Sequence, residues 1–175
     1  MTASIPVRRS TSRQLLARLA FASLFLAALA LTIGPAAHPT PARAATAEYV
    51  EGLLVKWINA ARTYRGIPAL RVGAKLTTFA GDRAKTLASN NTLSHPSCLA
   101  CMLRNRGVSF RVCGEVIAGT TYPWGYEAAK SIFRAWKSSS GHWSILMSRS
   151  YTRFGVGVAY RSSNHTTFAA AVLAG

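Results

Sequence analysis

Three side chains in this sequence have chemistry to offer in surroundings that make them stand out: His95, Glu115 and His142. Glu115 lies in an otherwise apolar stretch, Gly114-Glu115-Val116-Ile117-Ala118, where a carboxylate is costly to bury unless it is paired or hydrogen-bonded. Two imidazoles are suitable partners. Imidazole, carboxylate and imidazole together also make a ligand set for Zn2+ or another divalent cation. The same trio can do acid–base work, with Glu115 tuning a neighbouring histidine or activating a water, or with His142 serving Ser94, Ser139 or Ser140 as nucleophile. It can equally be a hydrogen-bonded polar knot that fixes three loops and needs no ligand. No GxSxG or HExxH pattern accompanies the trio, so an enzyme is the less favoured reading.

The cysteines Cys98, Cys101 and Cys113 form a second cluster. In an oxidising compartment one disulfide and one leftover thiol are expected. Cys98 and Cys101 lie so near along one helical turn that the expected bridge runs from Cys113 to one of them, with either open. It would close a loop of a dozen or so residues, worth about 3 kcal/mol. The competing reading is a zinc site at His95, Cys98, Cys101 and Cys113, whose H-x2-C-x2-C spacing is suitable.

The elements that must position these groups follow from periodicity. Val50, Leu53, Leu54, Trp57, Ile58 and Ala61 mark one face of a helix over Glu48–Tyr64, stopped by Gly66 and Pro68. A second helix carries Leu76, Phe79, Ala80, Ala84 and Leu87 and ends at Asn90-Asn91. His95 follows on a loop that Pro96 keeps out of helix, and Ser97 can cap a short helix, Cys98–Arg106, ended by Gly107. A strand centred on Glu115–Ile117 comes next, then a helix over Glu127–Lys137 with Ala129, Ile132, Phe133 and Trp136 inward. His142 is expected on the polar break after it, Ser138–Gly141. Phe154, Val156 and Val158 alternate with Gly155, Gly157 and Ala159, predicting a strand with one nearly bare face that accepts a closely packed neighbour. Thr166–Leu173 completes a hairpin with Arg153–Tyr160, across a polar turn holding a solvated His165. Trp57 and Trp136 read as core, whereas Trp124 and Trp143 fall on loops where they can line a cleft. This order predicts an α+β domain with a small, mainly antiparallel sheet covered by helices.

Residues 1–44 read as an export signal. Arg8, Arg9, Arg13 and Arg18 precede an apolar run, Leu19–Ile33, and cleavage is readable after Ala44 or Ala47. The run is short for a membrane span. Residues 45–175 then form one domain, and the formal charge falls from +16 to +11. A secreted domain with that balance is drawn to anionic cell-envelope polymers or lipids. Its Lys and Arg are scattered singly and show no recognition motif, which disfavours nucleic acid.

Asn59-Ala60-Ala61-Arg62 with Gly66 and Leu70, Ser94-His95, Gly114-Glu115-Val116-Ile117-Ala118, Trp136 followed by Ser140-Gly141-His142, and Phe154–Ala159 together resemble the CAP superfamily of cysteine-rich secretory, antigen 5 and pathogenesis-related proteins. The similarity runs through the whole mature chain and is strongest to the bacterial secreted branch. It implies an α-β-α sandwich with a central cleft, where two histidines and one or two acids cluster and in some members bind zinc. Those positions match His95, Glu115 and His142. The family's second acid matches Ser139, and the asparagine that often follows its Gly-Glu pair matches Val116, so the acid set is reduced. The implied function is a monomeric secreted binding domain whose cleft takes a divalent metal, a small apolar ligand such as a lipid, or an envelope component. The alternatives are a metal-dependent hydrolase or peptidase in the same cleft, and a basic structural or adhesive envelope protein.

Overall fold

The computed structural model describes residues 46–175, so the basic leader, its apolar run and the Ala44 cleavage position lie outside the described residues. Helix α1 (Ala47–Tyr64) is followed by strand β1 (Arg71–Val72), helices α2 (Ala74–Asn90) and α3 (Leu99–Asn105), and strand β2 (Cys113–Thr120). Helices α4 (Tyr126–Ser138) and α5 (Ser140–Leu146) lead into strand β3 (Arg153–Arg161), a 3-10 turn over Ser162–Asn164 and strand β4 (Thr166–Ala174). The sheet order is β1-β3-β4-β2. β4 is antiparallel to both β2 and β3, and the two-residue β1 runs parallel to β3. This is the expected α+β sandwich.

The bare face of β3 decides how close the layers come. An added Cβ at Gly155 would stand 2.1 Å from the backbone of Leu76 and Thr77, and one at Gly157 would stand 2.2 Å from Gly81 N. Helix α2 therefore lies directly on the strand backbone, the close neighbour predicted by the alternation. Leu76, Phe79, Ala80, Ala84 and Leu87 pack there against Val172, Ala170, Ile117 and Phe168. On the opposite face Phe154, Val156, Val158, Ala169, Ala171 and Leu173 meet α1, α4 and α5 through Leu54, Ile58, Ile132, Trp136 and Leu146. Trp136 is fully buried, as its helical position predicts, while Trp57 is only partly so. At the outer side of β3, Glu51 Oε1 accepts the Val158 N–H at 3.0 Å, so a side chain of α1 satisfies a strand donor that β1 is too short to reach.

Arg62 holds the first helix to a stretch far along the chain. It lies on the buried stripe Val50, Leu54, Ile58, Arg62 and is only 1 % exposed. Its guanidinium donates to the carbonyls of Pro68 (2.9 Å), Leu146 (2.7 Å), Ser148 (2.9 Å) and Tyr151 (3.4 Å). A buried cation survives when most of its donors are satisfied in this way.

Several expectations change. The disulfide joins Cys98 to Cys101, and Cys113 is the free thiol. Cys98 is the non-helical N-cap residue of α3 and not part of its first turn, and its Cα lies 5.3 Å from that of Cys101, within bridging range. The cap is therefore Cys98, whose sulfur accepts the Cys101 N–H, and not Ser97. So small a loop is worth about 2 kcal/mol on the chain-entropy account. Cys113 packs against the Leu76–Leu103 cluster, where burial pushes its thiol up, away from the reactive thiolate. His142 is the second correction: it stands on helix α5 and not on a break, because Ser139 alone leaves helical geometry and its Oγ at once accepts the His142 N–H at 3.4 Å. Third, β1 escapes sequence reading because two exposed residues carry no alternation.

Replacing Gly157 with Ala should lower the unfolding free energy by at least about 3 kcal/mol in denaturant titration, since the obstacle is helix backbone that cannot rotate aside. Gly141→Ala in α5, where the new methyl meets nothing within 4 Å, should instead leave stability unchanged or raise it by up to about 1 kcal/mol.

Candidate functional site

Glu115 points toward the α2 layer, and its side chain is only 2 % exposed. Its partner there is Arg83, which occupies the inward stripe of α2 between Phe79, Ala80, Ala84 and Leu87. Arg83 Nε donates to Glu115 Oε1 at 2.7 Å, and Nη2 to Oε2 at 3.3 Å, a two-pronged pairing. The same Nη2 donates to the Ser94 carbonyl at 2.8 Å. One guanidinium thus fixes the carboxylate and the loop that carries His95. His95 Nδ1 lies 2.8 Å from Glu115 Oε2. Its side chain is 54 % exposed, so the ring spans from a buried acid to solvent.

His142 arrives from the other layer. Helix α5 buries Leu146 against the α1–α4 side of the sheet, and β2 is the outermost strand, so groups from the two layers can meet at its edge. The His142 imidazole lies close enough to His95 to feel its charge. Burial first, and that neighbouring imidazole second, push His142 below the usual histidine value. It therefore favours the neutral ring, which has a lone pair to offer. Neither its ring nor His95 Nε2 has a hydrogen-bond partner among the described residues.

The structure thus brings His95 onto Glu115 directly, while His142 is linked to them by the charge its ring feels from His95. Arg83 is the member that sequence reading missed, although an arginine at helical spacing within an apolar stripe is the signal of a buried counter-charge. Ser139, in place of a second acid, serves as the N-cap of α5. Trp143 packs on Phe133 with Arg65 over its ring, Trp124 packs on Tyr160, and the Tyr160 hydroxyl meets His165 at 2.8 Å in the left-handed turn.

Whether these donors suit a metal follows from their present bonds. Both Glu115 oxygens are occupied by Arg83 and His95. Among the described residues no three His, Cys, Asp or Glu side chains stand close enough together to enclose an ion. What these bonds leave open is the outer nitrogen of His95, whose ring Glu115 orients from behind.

Two outcomes test this geometry. Arg83→Met should cost about 3–5 kcal/mol of stability, because it strands a buried carboxylate, and Arg83→Met with Glu115→Leu should recover most of that loss in denaturant titrations. The His142 ring should titrate below the ordinary value of 6.5 in an NMR pH series. Below that value the unfolded chain takes up protons the fold resists, so stability should fall as pH drops from 6.5 toward the folded-state value, and His142→Asn should flatten that slope.

Residues 55–172 match the family described as CAP, the cysteine-rich secretory protein family. No curated protein sequence matches the chain. Solved structures do. An extracellular protein containing an SCP domain from Bacillus anthracis superposes with a TM-score of 0.62 at 22% identity, covering 73% of this chain and 41% of that one, so this chain spans about two-fifths of that protein's length. An outer surface protein from Borrelia burgdorferi gives 0.60 at 20% identity, covering 71% and 91%. A structure of NaASP2 with Zn2+ gives 0.55 at 12% identity, covering 75% and 82%. With the family match spanning most of the sequence and the sandwich shared with these structures, the chain belongs to the CAP, or cysteine-rich secretory protein, family.

Proposed function

We propose that this chain is a secreted CAP domain that binds without catalysing, and that its ligand at the β2 edge is a divalent cation such as Zn2+, held by His95 Nε2 and the His142 imidazole. The observation that carries this reading is the 2.8 Å contact between His95 Nδ1 and Glu115 Oε2. It commits the inner nitrogen to the acid and leaves the outer one for coordination, the carboxylate–histidine arrangement that orients ligands at metal sites. The neutral tendency of His142 supplies a second nitrogen without proton loss. NaASP2, whose structure was determined with Zn2+, shares the fold and supports the choice of ion.

The reading against catalysis rests on the same bonds. Glu115 has both oxygens in use and is a poor general base. Ser139 spends its hydroxyl on the start of α5, and no serine hydroxyl among the described residues bonds an imidazole, the pairing a serine nucleophile needs. When bound, the cation would bridge the two layers at the sheet edge and present its remaining positions to an outside donor. The strongly basic surface, with the export signal read at residues 1–44, would place the domain against anionic envelope polymers or lipids.

Zinc titration by calorimetry tests this. The wild-type protein should take up one equivalent. His95→Ala and His142→Ala should each abolish uptake, and Glu115→Gln should weaken it about 10–100-fold. Equal uptake by wild type and both histidine variants would rule the site out.

A further inference from the structure

A second site lies where the end of α1, β1, the turn after α5 and the segment entering β3 meet. It is a pocket of about 300 Å³ lined by Arg62, Arg71, Arg149, Tyr151 and Thr152, with Pro68 and Ala69 closing one side. It shares no residue with the His95–Glu115–His142 site. Three guanidinium-bearing residues line one small cavity, and no carboxylate does.

That imbalance is not relieved from elsewhere. The chain has five acids. Glu115 belongs to Arg83 and His95, Asp82 to Arg106 and Lys85, and Glu127 to Lys130. Glu51 binds the Val158 N–H, and Glu48 lies in the first turn of α1, with Arg62 in the last. The pocket's cations thus have only neutral acceptors. Arg62 is buried and bonds four carbonyls, yet a guanidinium carries five N–H donors, and its Nη2 bond is the long one at 3.4 Å. One Nη2 donor therefore has no protein acceptor among the described residues. Arg149 donates to the Gly66 carbonyl at 2.7 Å, which anchors it at the pocket without neutralising it. The side chains of Arg71 and Thr152 have no hydrogen-bond partner among the described residues. Burial, and after it the charge of Arg149, push the Arg62 guanidinium below its ordinary value, the direction expected of neighbouring cations with no anion between them.

We propose that this pocket is an anion site that takes a phosphate group against Arg62, Arg71 and Arg149, with the Thr152 hydroxyl as a further donor. Phosphate suits it better than a carboxylate because a doubly charged, many-acceptor group can engage several guanidinium forks at once. Arg62 is fixed before the ligand arrives, so little side-chain freedom is lost there on binding. The phosphate can be free in solution or carried as a lipid headgroup, and the two sources present the same chemistry to the pocket.

The test uses the purified protein with sodium phosphate against sodium chloride at matched ionic strength, reading the arginine Nε–H resonances by NMR. Phosphate should move the Arg62 and Arg149 signals saturably, where chloride and acetate do not. Arg71→Gln and Arg149→Gln, both exposed positions, should each raise the phosphate Kd by about ten-fold or more, and Lys130→Gln, a control on the α4 face, should leave it unchanged. Vesicles of phosphatidylglycerol in phosphatidylcholine separate the sources: binding lost with Arg149→Gln assigns a headgroup, and vesicle binding indifferent to it, beside intact phosphate binding, assigns a soluble phosphate. No saturable shift, an equal response to acetate, or equal weakening by Lys130→Gln would overturn the proposal. Zinc uptake at the histidines is read separately, so neither result decides the other.

Discussion

The Glu115 carboxylate, buried in a sheet strand, sets the terms for its whole neighbourhood. A charge at that depth must be matched, and the fold matches it with Arg83 from the facing helix and His95 from the following loop. Each match has a structural cost elsewhere. Arg83 must interrupt the apolar stripe of α2, and the loop after α2 must bend back so that Ser94 and His95 reach the same carboxylate. The arrangement stabilises by avoiding a penalty, since an apolar trio of similar shape would hold the layers together as well. What the ionic version adds is orientation: a half-exposed imidazole held at one nitrogen by a buried acid.

The spacing between layers is what makes this reach possible. With glycine at positions 155 and 157, α2 rests on bare backbone, so the short distance from helix to sheet lets an arginine pair with a strand residue without a bridging water. The other layer is conventionally thick, filled by Phe154, Val156, Trp136 and Leu54. This asymmetry puts Glu115 on the thin side and the helix that carries His142 on the thick side.

Much of this was written in plain periodicities. The longer helices and strands follow from the 3.6- and 2-residue spacing of apolar positions, and the Phe-Gly-Val-Gly-Val-Ala alternation announced both a strand and its close neighbour. The helix stops at Gly66 and Gly107 were readable because both adopt positive φ, which glycine takes without strain. What was not readable depended on partners distant in sequence or on single backbone angles. Arg83 pairs across 32 residues, and nothing local distinguishes it from a surface arginine except its place on an apolar face. The helix carrying His142 hung on one serine leaving helical geometry and capping the next turn. The disulfide hung on Cys98 leaving helical geometry, so that a pair which a helical turn would hold poorly became the natural one. His95 and Glu115 were found as chemistry first and geometry second, because a carboxylate in an apolar strand is conspicuous whatever surrounds it.

Arg62 carries a consequence for how such a chain comes into being. It belongs to α1, yet three of its acceptors, the carbonyls of Leu146, Ser148 and Tyr151, lie 84 to 89 residues further on. Until that stretch has left the ribosome, docking α1 would bury a cation with most of its donors unanswered. The docking of α1 thereby gains most of its hydrogen bonds only once the greater part of the domain has been made.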